Sequence, residues 1–86
     1  MEKELIALKK KLYDLDDIGG DVWVYIHNWA KKFWLFIGKN GSKYGWCEKE
    51  FENIKDQYLE RKNMKDSFRV FINIYKELFE KIESKE

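Results

Sequence analysis

All four tryptophans of this 86-residue chain fall between Asp21 and Cys47. Trp23, Trp29, Trp34 and Trp46 share that stretch with Tyr25, Phe33, Phe36 and Tyr44. Each such ring carries roughly 150–250 Å² of surface, which has to be enclosed or placed against something. Any fold open to the chain must therefore be organised around this segment. Four lysines (Lys31, Lys32, Lys39, Lys43) stand there against a single aspartate, in a chain whose total charge is only +1. Concentrated rings with a local positive excess are the composition of a recognition surface.

Residue preference over this segment points to strands. Val22, Val24 and Ile26 alternate with Trp23, Tyr25 and His27, and Phe33, Leu35 and Ile37 alternate with Trp34 and Phe36. Asn40-Gly41 is a strong hairpin signal, because a type I′ turn needs positive φ at both central residues. The pattern predicts strands over 22–28, 32–38 and 43–47, paired as a three-stranded antiparallel meander whose first turn spans Asn28 to Lys31. A helical reading competes with it. Trp23, Ile26, Ala30, Phe33 and Ile37 recur at helical steps, which leaves His27, Asn28, Lys31 and Lys32 as a polar stripe. Asp21 would then be the N-cap and Gly38 the residue after the last turn. That alternative is an all-α bundle with residues 21–37 helical.

The flanks read as helices. Leu5, Leu8, Leu12 and Leu15 make an apolar stripe over 3–16. Asp14, Asp16 and Asp17 sit where the helix dipole disfavours acids, and Gly19-Gly20 completes the break. Further on, Phe51, Ile54 and Tyr58 predict a helix over 48–62. A stronger stripe of Phe68, Phe71, Ile72, Tyr75, Leu78, Phe79 and Ile82 predicts another over 64–83. The polar stretch 60–66 separates them, with Asn63 and Asp66 spaced like a cap, although the two stripes share a register that also admits one bent helix. The expected fold class is α+β, in the order α-β-β-β-α-α, as a single domain over 1–86.

Both faces of such a sheet are apolar, whereas an antiparallel sheet commonly wets one of them. The excess face predicts a partner. Its anchors would be Trp23, Tyr25, Trp34 and Phe36, joined by Tyr44 and Trp46 from the third strand, with Lys31, Lys32, Lys39 and Lys43 as a basic rim. The expected function is a small non-catalytic protein that occludes a surface of another protein, as virus- or plasmid-type inhibitors, immunity factors and accessory subunits do. A homodimer built through the last helix is one alternative. The other is nucleic-acid binding through the ring-and-lysine face. The order α-β-β-β-α, over roughly Leu5 to Lys62, resembles the double-stranded-RNA-binding domain in topology. That family implies a lysine cluster opening the last helix; this chain has Glu48-Lys49-Glu50-Phe51-Glu52 there, which repels phosphate.

No catalytic motif stands out. His27 and Cys47 are the only residues of their kinds, and a simple meander separates them by two strand spacings, about 10 Å, too far for a base and its nucleophile. Asp14-Leu15-Asp16-Asp17-Ile18-Gly19 departs from a calcium loop at its fifth position, and Gly38 to Gly45 lacks the Gly-Lys-Ser/Thr of a phosphate loop. The expectation is no metal, no cofactor and no small-molecule substrate. One cysteine excludes an internal disulfide, and a charged start that leads into an amphipathic segment argues against a signal peptide. The stretch Val22 to Ile37 is too short and too polar to span a bilayer. Cytoplasmic residence with no membrane contact is the resulting expectation.

Overall fold

The computed structural model describes residues 2–18, 23–61 and 68–85. Every one of them except Glu2, Asn40, Gly45 and Trp46 is helical. The helices are α1 (Lys3–Ile18), α2 (Trp23–Lys39), α3 (Gly41–Tyr44), α4 (Cys47–Arg61) and α5 (Phe68–Lys85). The chain is therefore all-helical, and the expected α+β meander is wrong. Among the described residues there is no strand; the described parts of the segments expected over 22–28, 32–38 and 43–47 belong to α2, α3, the turn at Gly45 and Trp46, and the start of α4.

Burial explains the correction. A strand would place Val24 and Ile26 on one face, yet Ile26 is 1% exposed and Val24 70%. Phe33 and Ile37 are buried while Leu35 between them is 64% exposed. The buried positions of α2 are Ile26, Trp29, Phe33, Phe36 and Ile37, one arc of a helix. A single layer of neighbours can cover one arc. Two apolar sheet faces would have needed covering from both sides. The strand preference of Val, Ile and Trp spans only about 1 kcal/mol, less than the roughly 1.5–3 kcal/mol available from burying one large apolar side chain.

Asn40-Gly41 does not turn a hairpin; it ends α2 and starts α3. The Asn40 amide donates to the carbonyls of Phe36 (3.1 Å) and Ile37 (3.2 Å), and its side-chain Nδ2 donates to Phe36 O at 3.0 Å. The Asn40 carbonyl then accepts from the amides of Lys43 (3.0 Å) and Tyr44 (2.9 Å). Gly38, expected to follow the last turn of a helical segment, lies inside α2. Gly45 is needed for space: a Cβ there would sit 2.5 Å from Gly41 O.

α1 runs past its expected end at residue 16, because Asp16 is held by Lys76 Nζ of α5 at 2.7 Å and the same ammonium lies 4.4 Å from the Tyr13 ring centroid. The Gly19-Gly20 break, the Asp21 cap and the Asn63–Asp66 cap lie outside the described residues.

Side-chain pairs fix the helix directions. Lys9 with Glu83 and Asp16 with Lys76 run α1 against α5. Glu50 with Lys81 and Tyr58 with Glu77 run α4 against α5, so 48–83 is two helices, not one bent one. Trp23 on Phe71 and Phe33 on Phe79 set α2 parallel to α5. The result is an up-down-up-down four-helix arrangement, with α3 as a single turn in the connection from α2 to α4. α5 is its hub, burying Val70, Ile72, Ile74, Tyr75, Leu78, Phe79 and Ile82.

Candidate functional site

Amphipathic folding divides the residues of the tryptophan-rich segment between core and surface. Phe36 and Tyr44, both expected as contact anchors, are 7% and 2% exposed, with their rings 5.9 Å apart. Trp34 is half-buried: it meets Phe51 edge-on at 5.3 Å and donates Nε1–H to the Tyr75 hydroxyl at 2.9 Å. Trp46 donates to Lys43 O at 3.2 Å and carries the Lys85 ammonium 4.0 Å from its ring. Trp23 stacks on His27 at 5.7 Å and touches Phe71. Only Tyr25, at 61%, is an exposed ring of the expected set. The six aromatic anchors thus share no common face.

The lysines behave differently. Lys31, Lys32, Lys39 and Lys43 are all exposed. Lys43 pairs with Glu2 at 3.6 Å. Lys31, Lys32 and Lys39 make no ion pair among the described residues, and α2 contains no acidic residue of its own. Their neighbours on the same outer arc are Val24, Tyr25 and Leu35, exposed by 70%, 61% and 64%. Val24 and Leu35 were missed as surface residues by the strand reading. A helical projection of 23–39 would have found them, since positions 24, 28, 31 and 35 share one stripe.

Two grooves flank this arc. On the α1 side a groove of about 630 Å³ is lined by Ala7, Leu8, Tyr25 and Trp29, with Lys11 and Lys32 at its rim and Glu4 and Asn28 completing it. Trp29 anchors its floor by donating Nε1–H to Leu8 O at 2.8 Å. On the other side, Trp34 lies between two smaller hollows. One is lined by His27, Ala30, Lys31 and Leu35, the other by Ile37, Gly38, Glu48, Phe51 and Glu52.

His27 and Cys47 are not brought together. Gly38 shares a hollow with Glu48, beside Cys47, and His27 lies eleven residues earlier, about 16 Å back along the α2 axis. Cys47 is fully buried, and desolvation pushes its thiol from an ordinary 9.0 up to about 11, against a smaller opposing pull from Lys85. That is the opposite of what activates a nucleophilic thiol. Burial likewise raises the Tyr75 hydroxyl, partly offset by the Trp34 hydrogen bond. Among the described residues no three His, Cys, Asp or Glu side chains cluster as a metal site would require. No described helix is long and apolar enough to cross a membrane. Comparison with protein-family models, with curated proteins and with solved structures finds no match to this chain.

Proposed function

We propose that this chain is a small non-catalytic binding protein that occludes a surface of another protein, using the outer arc of α2 and the groove beside α1. One observation carries the reading: Lys31, Lys32 and Lys39 are left without ion pairs among the described residues, beside the exposed Val24, Tyr25 and Leu35. Lys9, Lys43, Lys76 and Lys81 each have a carboxylate, whereas Lys3, Lys10, Lys11, Lys49, Lys55 and Lys85 have none among the described residues; what sets the α2 lysines apart is the exposed apolar strip they edge. An apolar strip edged by unpaired cations suits a target that offers an apolar ridge flanked by acids. Tyr25 and the Leu8–Trp29 floor would take the ridge, while Lys11 and Lys32 meet the flanking charges.

The test is capture of the target from the protein's own host with tagged wild type, repeated with Tyr25→Ala combined with Lys32→Glu. Both residues are exposed, so the melting temperature should hold while the captured species disappears. Retention of the target by the double variant overturns the reading. So does binding to nucleic acid that weakens with the steep salt slope of phosphate contacts; the acidic exposed side of α4 (Glu48, Glu52, Asp56, Glu60) speaks against that outcome.

A further inference from the structure

The α2–α4 edge of the bundle is an open seam, and we infer that it is covered by a second copy of this chain. Around the other edges of the bundle, α1 with α2, α1 with α5 and α4 with α5, the helices approach backbone to backbone. Along the seam α2 and α4 are instead held apart by the Trp34 ring standing on Phe51. The floor is apolar: Ala30, Trp34 and Ile37, with Gly38 leaving open space where a side chain would project. Leu35, 64% exposed, stands on the crest beside it.

The two walls carry opposite charge. On α2 the charge of the wall is a single lysine, Lys31, next to His27. On α4 it begins with Glu48 and Glu52 and continues outward through Asp56 and Glu60, all exposed and spaced four residues apart. Like charges at that spacing are destabilising within a helix, and none of the four acids has an ion pair among the described residues. Lys31 makes no ion pair with them in its own chain. A surface with one basic and one acidic wall is complementary to itself. A two-fold axis running along the seam lays each copy's α2 over the other copy's α4. Trp34 is level with Phe51 and Glu52, and the two helices run in opposite directions. Lys31, one turn before Trp34, therefore comes opposite Glu52 and Asp56 of the second copy, and Leu35 closes over the floor.

Size sets the strength. The seam is about 25 Å long and roughly 20 Å wide, so each copy contributes on the order of 500 Å². Two such faces bury roughly 1,000 Å² in total, below the standard size of a stable interface, so the dimer is a weak one. The seam shares Lys31 and Leu35 with the outer arc of α2 but not the α1-side groove of Leu8, Tyr25, Trp29 and Lys32, so its failure would leave the function proposed for that groove untouched.

Sedimentation velocity from about 5 to 500 μM is the test, on wild type, on Lys31→Glu and on Glu52→Lys/Asp56→Lys, each checked for unchanged helicity. Wild type should move from monomer to dimer over that range. Each variant should dimerise at least about tenfold more weakly, because each turns attractive cross-copy pairs into repulsive ones at both symmetric places. An equimolar mixture of the two variants should recover the wild-type affinity as a heterodimer, since both charge contacts are then attractive again. A wild type that stays monomeric throughout overturns the inference. A dimer indifferent to these charges, or a mixture that fails to recover, overturns it equally.

Discussion

α2 and α5 run parallel and share their aromatic contacts, yet their polar sides are treated in opposite ways. On α5, Lys76 pairs with Asp16, Lys81 with Glu50 and Glu83 with Lys9, while Glu77 accepts from the Tyr58 hydroxyl at 2.8 Å. Four charged side chains of the hub helix are thus matched by the helices around it, and Lys85 lies over the Trp46 ring. On α2, three lysines without ion pairs among the described residues and three large exposed apolar side chains face outward. Both helices bury a full arc, so the contrast does not lie in the core. It lies in what the rest of the bundle was given to answer them. Four of α5's charges are answered within the bundle; none of α2's three lysines is.

Truncation of the shared core should erase the contrast and have the largest effect. Phe33, fully buried between Trp29, Tyr75 and Phe79, should cost about 3–5 kcal/mol as Phe33→Ala. Chemical denaturation would show it, and a loss below about 1 kcal/mol would mean that the inner arc of α2 is not core in solution.

Alkaline pH should act most strongly through Cys47 and Tyr58 on the α4–α5 side, with the raised Tyr75 and Lys9 working in the same direction. Burial raises the Cys47 thiol from 9.0 to about 11, and burial with the Glu77 hydrogen bond raises the Tyr58 hydroxyl from 10.0 to about 12. Above pH 9 the unfolded chain releases protons that the folded chain still holds. The stability these groups contribute is thus complete below about pH 9 and declines as pH rises towards 11 and 12. Melting temperatures in Cys47→Ala should lose the part of this decline that begins near pH 9. An unaltered alkaline limb would remove Cys47 as its source.

Trp34→Phe keeps most of the ring but leaves the Tyr75 hydroxyl without its donor, for an expected loss of about 1–2 kcal/mol. If the variant is as stable as wild type, the bond between the two helices contributes nothing measurable.

Charge deletions sharpen the comparison at the small end. Lys76→Ala breaks the Asp16 pair and the contact with Tyr13, and should cost about 0.5–1 kcal/mol. Lys31→Ala should leave stability unchanged to within about 0.5 kcal/mol. Equal losses for the two would deny that the two helices differ.

Much of this was legible beforehand, and unevenly so. The leucines of α1 and the stripe from Phe68 to Ile82 have only one plausible period, so their helices could be read directly. Val22 to Ile37 supports both periods, and local preference chose the wrong one. What decides it is tertiary: Trp29 reaches Leu8 O, and Phe33 reaches Phe79, contacts that no local window contains. The candidate surface divided along the same line. The lysines were legible because a long cation is exposed in either fold. Phe36 and Tyr44 were misassigned because a ring's fate depends on which arc it occupies. The acidic wall of α4 was visible as a spacing of four from Glu48 to Glu60, but its meaning depends on the seam beside it.

The tryptophan hydrogen bonds make the molecule report on itself. Three indole N–H groups end on three different acceptors: Leu8 O between α1 and α2, the Tyr75 hydroxyl between α2 and α5, and Lys43 O within the connection to α4. In deuterated buffer each proton should survive only as long as its own junction stays closed. The order in which the three signals fade would then state, without any label, which helix lets go first.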